Sequence, residues 1–263
     1  MKRMEFLKLS GGLAMAAAAG KSSAQEGKKL HLVSLSFDDG FKKSFIRTAE
    51  IYEKFGLSGC FNVTAAGNRP ESPIVDDYVS PGQLGDFALW NELQARGHEI
   101  MPHGHHHEHL DRLPDEEARK LIDSCLEIFA AGLKGWEAKR AVFNFPYNDA
   151  TPLLEAWLPS RVRAYRCHGE MINPLPHPGT TKIGTGGFGP GNAEEDLDQA
   201  IADLLSLDSG WLVYNLHGLD EEGWGPIRAT YLEKLLARLR TIDSVRIVPT
   251  ARALAQYAGV KKS

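Results

Sequence analysis

The stretch Leu30-His31-Leu32-Val33-Ser34-Leu35-Ser36-Phe37-Asp38-Asp39-Gly40 sets the reading of the whole chain. Residues 30–37 form an apolar run of strand length, and two carboxylates and a glycine follow at once. Beyond them, Phe41, Phe45, Ala49 and Tyr52 recur at three to four residues and mark one face of a helix over 41–55, which Gly56 terminates. A strand that feeds an amphipathic helix is the unit from which parallel sheets are built.

The unit repeats outward from there. Strands are expected at 58–63, 98–101, 141–145, 162–165, 181–184, 211–216 and 245–248, and helices at 115–131, 193–207, 231–239 and 251–258. Residues 68–78, rich in Pro and Asp, read as a surface loop, and 184–191 as a glycine-rich one. Ser80-Pro81-Gly82-Gln83 combines an N-cap serine, a proline at the first helical position and a glutamine two further on, which predicts a helix from there to Arg96. In 263 residues, 43% of them hydrophobic, there is material for one large core. Seven or eight β/α units with no linker and no internal repeat predict an α/β chain forming a single-domain, distorted (β/α) barrel. The competing architecture is an open doubly wound sheet, and no G-x-G-x-x-G follows the first strand to support it.

Residues 1–24 read as a signal peptide: Lys2, Arg3 and Lys8 make a basic start, 9–19 is apolar and small, and Ser22-Ser23-Ala24 suits cleavage. The remaining 25–263 is then the functional domain of an exported, periplasmic or extracellular, protein. The apolar part is too short to span a bilayer, which takes about 20 residues, so no stable membrane span is expected. Removing Lys2, Arg3, Lys8, Lys21 and Glu5 takes the formal net charge from −4 to −7. That balance argues against nucleic acid as a partner, because phosphate binding needs clustered basic charge. Cys60, Cys125 and Cys167 are odd in number, lack metal-site spacing and read as buried small hydrophobes with at most one disulfide.

Reactive side chains collect just past the ends of several strands. Asp38-Asp39 follows the first, His103 to His109 the third, Asn144 to Tyr147 the fourth, and His217 the strand at 211–216. In a β/α barrel those ends converge on one face, where active sites lie. Adjacent side chains at a strand end diverge, so one aspartate can bind a metal while its neighbour faces a reacting water. Helix capping would account for one of the two, not both. The segment Met101-Pro102-His103-Gly104-His105-His106-His107-Glu108-His109 holds five of the ten histidines. His103 and His107 stand four apart, a spacing that lets two imidazoles reach one ion, and His105 with His109 has the same spacing. Spacing alone does not choose between the pairs, nor against a merely solvated histidine tract.

With these residues in view, the chain resembles the polysaccharide deacetylase family, the NodB homology domain of carbohydrate esterase family four. Ser36-Phe37-Asp38-Asp39-Gly40 resembles its first motif, and Gly97-His98-Glu99-Ile100 leading to His103 and His107 its second. Asn144-Phe145-Pro146-Tyr147 resembles the third, and Asn215-Leu216-His217 the last, so the likeness spans roughly 30–258. The resemblance implies that Asp39, His103 and His107 bind one divalent metal, most often zinc, with Asp38 as catalytic base and His217 as general acid. It further implies that Tyr147, through its backbone N–H, holds the oxyanion, with Asn144 and Leu216 at the substrate side. The implied reaction removes acetyl groups, N-acetyl before O-acetyl, from an acetylated carbohydrate. A carbohydrate-binding pseudoenzyme and a metal-dependent amidase for a small non-sugar substrate are the alternatives, since fold does not fix substrate.

Two positions depart from the family. Asparagine stands at 144, where the family has an arginine that pairs with the catalytic aspartate. The fourth motif, two acidic residues shortly before a tryptophan, has no counterpart between 166 and 208. Arg166, expected just past the fifth strand on the same face, is the candidate for the missing positive charge. Trp224, in a glycine-containing loop after His217, is the candidate for stacking on a sugar ring.

Overall fold

Successive side chains of a strand face opposite ways, and this alternation sorts the molecule into an inside and an outside. In the computed structural model, which describes residues 29–69, 72–73, 79 and 81–259, the first strand is Leu30–Phe37 (β1). Leu32 packs in one apolar cluster with Val142, Ala164, Ile183, Trp211 and Val213, while its neighbours Val33, Leu35 and Phe37 pack in another with the helices. The segment 1–24, expected as a signal peptide, lies outside the described residues, as does most of the 68–78 loop.

Seven further strands carry the architecture: Cys60–Val63 (β2), Glu99–Pro102 (β3), Val142–Asn144 (β4), Ala164–His168 (β5), Lys182–Thr185 (β6), Ser209–Leu216 (β7) and Val245–Ile247 (β8). β1 pairs in parallel with β7 along its whole length, from Leu30 opposite Ser209 to Phe37 opposite Leu216. Its other edge is shared, with β8 along His31 to Val33 and β2 at Ser36 and Phe37. β2 continues to β3, β4 pairs with β5 and β5 with β6, all in parallel. A single bridge between Gly186 and Tyr214 links the end of β6 to β7.

Seven parallel strands thus form a ring whose one seam, between β3 and β4, carries no backbone ladder among the described residues. Side chains cross it instead: Asn144 Nδ2 donates to the Pro102 carbonyl (3.2 Å) and His103 Nδ1 to the Asn144 carbonyl (3.0 Å). The expected distorted barrel is what forms, with hydrogen bonding interrupted at that seam. Among the described residues seven helices pack around and below it: Lys42–Glu53 (α1), Phe87–Ala95 (α2), Asp115–Gly132 (α3), Pro152–Trp157 (α4), Ala193–Ser206 (α5), Ala229–Leu239 (α6) and Thr250–Tyr257 (α7). The N-terminus of α7 meets β3, where buried Glu99 accepts from the Ala251 and Arg252 N–H groups (both 3.0 Å), supplying partners for donors that a helix start leaves unpaired.

Three local expectations need correction. Pro81–Gln83 is one 3₁₀ turn, and α2 begins only at Phe87, capped by Asp86, whose carboxylate accepts from Leu89 N–H (3.0 Å). The helix cannot start earlier because Leu84 bridges Phe41 and Gly85 N–H donates to the Gly40 carbonyl (3.0 Å), so this backbone is committed to the segment after β1. Arg166 lies within β5, two residues before its end, not past it. The short helix α4 has no counterpart among the expected elements, although Thr151 caps it and Pro152 opens it. All three cysteines are buried and free.

Candidate active site

The inward positions of the ring change character towards the C-terminal ends of the strands. Below lies the cluster of Leu32, Val142, Ala164, Ile183, Trp211 and Val213; above it lie Ser36, Asn62, Asn144, Arg166 and Asn215, all buried and all polar. Asp38 sits on this layer. Its Oδ1 accepts from Arg166 Nη1 (2.8 Å) and Asn62 Nδ2 (2.6 Å), and its Oδ2 from Arg166 Nη2 (2.5 Å) and Asn215 Nδ2 (2.7 Å). Asp38 is 1% exposed and Arg166 0%. Burial pushes the Asp38 carboxyl upward, but the Arg166 guanidinium and the nearby His103 outweigh it and hold the group below the usual carboxylate range.

Asp39 faces a different set of partners. His103 Nε2 and His107 Nε2 each lie 3.4 Å from its Oδ1, and all three residues are buried. His103 Nδ1 donates to the Asn144 carbonyl, which fixes the ring orientation and leaves Nε2 as the nitrogen turned to the carboxylate. A tetrahedral ion with arms of about 2.0–2.1 Å holds neighbouring donors about 3.3–3.4 Å apart. The donor set fits such an ion: Arg166 balances one of the two adjacent buried carboxylates, and in the corresponding place Asp39 has two imidazole nitrogens at 3.4 Å. Burial raises the Asp39 carboxyl, yet the histidines more than reverse this and it too lies below the ordinary range.

The backbone around this centre is strained where it turns. Asp39 (φ 77°), His107 (φ 67°) and Tyr147 (φ 55°) all adopt the left-handed conformation that residues with a Cβ rarely take. Gly104 lets the histidine loop meet the next loop closely, since a Cβ there would stand 2.7 Å from Pro146. The Tyr147 ring packs against His107 (centroids 4.5 Å) and stacks on His109 (3.5 Å, 7°). Of the two histidine pairs that spacing allows, His103 and His107 converge on Asp39, whereas His109 turns to Tyr147 and His105 to His106.

His217 follows the end of β7 on the same rim and is partly exposed. Its surroundings push the imidazole below its ordinary value, with Asp39 and Asp38 opposing that shift only in part. Trp224 meets it edge to face (centroids 5.5 Å, 86°) and is 44% exposed. Leu216 is buried directly beneath, its carbonyl accepting from Asp38 N–H (2.8 Å). Asn144 is not where it was expected. It is fully buried, and its amide donates to Asn62 Oδ1 (2.9 Å) and across the seam, so it supports the residue that holds Asp38 and does not line the substrate side. Asn62 lies in no motif, and Ser36 and Asn215, though they stand in the first and last motifs, have no role implied there; all three are buried polar residues of the strands around Asp38.

The family model described as Polysaccharide deacetylase matches residues 25–156, half of the chain. The chain belongs to the polysaccharide deacetylase family. Solved structures of that kind share its fold. The Xyl-CE4 domain of a multidomain xylanase from the hindgut metagenome of Trinervitermes trinervoides is 14% identical, with a TM-score of 0.57 over 89% of this chain and 93% of that one. A family 4 acetyl xylan esterase from Clostridium thermocellum, in complex with a cobalt ion, is 18% identical, with a TM-score of 0.55 over 85% and 90%. The catalytic domain of a peptidoglycan N-acetylglucosamine deacetylase from Eubacterium rectale is 15% identical, with a TM-score of 0.55 over 94% and 99%. No curated protein matches the chain in sequence. Among the described residues, no helix of this deacetylase-family chain is long and apolar enough to cross a membrane.

Proposed function

We propose that this protein is an exported, metal-dependent hydrolase that removes acetyl groups, preferentially N-acetyl, from a carbohydrate. The observation that carries the reading is the contrast between two adjacent buried carboxylates, one locked to Arg166 and the other faced by two imidazole nitrogens at 3.4 Å. Asp39, His103 and His107 would hold one divalent ion, zinc being the metal such a three-ligand set suits, with a position left open for water or substrate. When bound, that ion polarises the acetyl carbonyl and lowers the pKa of a coordinated water.

The chain's own residues then carry the proton. Asp38 Oδ2 lies 3.7 Å from His103 Nε2, on the side of the ligand set, and is the atom placed to accept the proton of the attacking water. Arg166, Asn62 and Asn215 hold the carboxylate still while it does so. The tetrahedral intermediate carries an oxyanion, for which a fixed backbone donor at Tyr147 in its left-handed turn provides a partner. As the C–N bond breaks, the departing amine needs a proton, and His217, across the rim from the histidine loop, is the group to donate it. Amines leave poorly without protonation, which favours an amide over an ester as the bond this arrangement serves.

Two exposed aromatics flank the rim, Trp224 and Phe188, each 44% exposed. Gly189 lies flat against the Trp224 ring, where a Cβ would stand 2.6 Å from it, so the two loops form one surface on which a sugar ring can stack. Export agrees with the basic and apolar start of the chain and with a family match that begins at residue 25. The departure at Asn144 does not favour a pseudoenzyme, since Arg166 supplies the charge from the neighbouring strand. The test is acetate release from N- and O-acetylated glycans and small acetamides by chelator-stripped and zinc-reloaded protein. Release from an acetylated glycan only after reloading is the expected result; glycan binding with no release under any metal would turn the reading into the pseudoenzyme.

A further inference from the structure

The histidine segment holds more imidazole than the site above uses. His105 and His106 turn away from Asp39 and face Glu108 on the same short loop. His105 Nδ1 lies 3.0 Å from His106 Nδ1, His106 Nδ1 lies 2.7 Å from Glu108 Oε1, and His105 Nδ1 lies 3.9 Å from the same oxygen. One proton on His106 Nδ1 can serve both contacts only as a bent three-centre hydrogen bond, because the two acceptors stand roughly at right angles about it. If that proton is aimed at the carboxylate, the His105 contact is left without a well-directed hydrogen. If His105 Nδ1 carries it and donates to His106, a bare imidazole lone pair faces Glu108 at 2.7 Å. With protons on both, two N–H groups oppose each other. Glu108 Oε2, on the same carboxylate, is buried with no hydrogen-bond partner among the described residues.

A cation among His105 Nδ1, His106 Nδ1 and Glu108 Oε1 would relieve the crowding of these three atoms. The midpoint between His105 Nδ1 and Glu108 Oε1 lies about 2 Å from each, and His106 Nδ1 stands to one side at about the same distance, which is a metal–nitrogen bond length. Two donors opposite one another with a third at right angles are three corners of a square, the tetragonal arrangement of N and O ligands that Cu(II) and Ni(II) prefer. In the Asp39 set the carboxylate oxygen instead stands 3.4 Å from each imidazole nitrogen, the spacing of a tetrahedral ion.

We infer that His105, His106 and Glu108 form a second transition-metal site, tetragonal and selective for Cu(II) or Ni(II), beside the Asp39, His103 and His107 site and independent of acetyl hydrolysis. The His105 and His106 side chains are 16% and 22% exposed, so this ion would exchange with solvent more readily than one held at buried Asp39. Water or a ligand from solution would complete the coordination.

The test uses the full chain without any affinity-tag histidines, stripped with chelator and dialysed against Cu²⁺, with copper counted by elemental analysis and examined by electron paramagnetic resonance. Two ions per chain are expected, one with an axial spectrum bearing nitrogen coupling. In His105→Ala/His106→Ala the count is expected to fall to one and that axial signal to vanish. His106→Gln, a milder change in the same loop, is expected to weaken binding of the second ion at least tenfold while circular dichroism stays that of the parent. One ion in both parent and double variant, or two in both, would overturn the assignment.

Discussion

Asp38 and Asp39 are neighbours in the chain and opposites in their surroundings. Asp39 finds its partners in one loop, where His103 and His107 lie within five residues of each other at the end of β3. Asp38 draws its partners from three different strands: Asn62 from β2, Arg166 from β5 and Asn215 from β7. One half of the site is therefore local and the other is a property of how the strands are arranged around the ring. In the proposed function labour divides along the same line: the loop half would hold the ion, while the strand half would set the basicity and position of one carboxylate. The two halves should fail differently.

The largest effect is expected from Asp38→Asn. Loss of a positioned base costs about 10²–10⁴-fold in kcat, and acetate-release kinetics should show this while zinc content per chain stays at the parent value. Asp39→Asn should do the reverse in origin, abolishing both zinc binding and activity. If Asp38→Asn lost zinc as completely as Asp39→Asn, the separation of roles would be wrong.

Arg166→Met comes next. It leaves a buried carboxylate without its cation, which costs about 3–5 kcal/mol and should appear as a fall in Tm. It also removes the main influence that lowers the Asp38 carboxyl while burial, which raises it, persists. The acid limb of kcat/KM should therefore move to higher pH, with Arg166→Lys recovering part of the shift. In the parent, Asp38 has a folded pKa below its unfolded value of about 3.9, so its contribution to stability is in place above that value and is lost as pH falls through the folded one. Acid denaturation of the parent should accordingly begin at lower pH than that of Arg166→Met.

Asn144→Ala should act on the same half more weakly. It leaves Asn62 Oδ1 and the Pro102 carbonyl without their donor, at about 1–3 kcal/mol of stability, with a smaller shift in the pH profile than Arg166→Met gives. The smallest effect is expected from Trp224→Ala, where loss of a stacking surface worth about 0.5–1.5 kcal/mol raises KM about two- to tenfold for a glycan and leaves a small acetamide unaffected.

The same contrast explains what can be read in the sequence. The loop half is legible because Asp39, His103 and His107 lie in two short motifs, and because strand ends in a β/α chain converge on one face. Each of the eight strands is located to within three residues at either end for a similar reason, since apolar runs bounded by turn signals are local. The strand half is not legible in the same way. Asn62 is an ordinary strand residue, and Ser36 a motif residue without an evident role, until the strands are set side by side, and the motif position of Asn144 points to the substrate side when its amide in fact braces Asn62. Arg166 can be suspected as a charge but not placed, because the expected bounds of β5 are two to three residues off and side-chain direction reverses with each residue. The helix start at Phe87 is hidden by a convincing local signal at 80–83, which pairing of Leu84 and Gly85 with the segment after β1 overrides.

The most direct test of the account is a titration of chelator-stripped protein with zinc, following acetate release from an N-acetylated oligosaccharide. Activity should be absent in the stripped protein, rise in proportion to the first equivalent bound, and stay absent in Asp39→Asn at every zinc concentration. Undiminished acetate release by the stripped protein, or equal recovery in Asp39→Asn, would contradict the claim that Asp39, His103 and His107 hold the ion on which the chemistry depends.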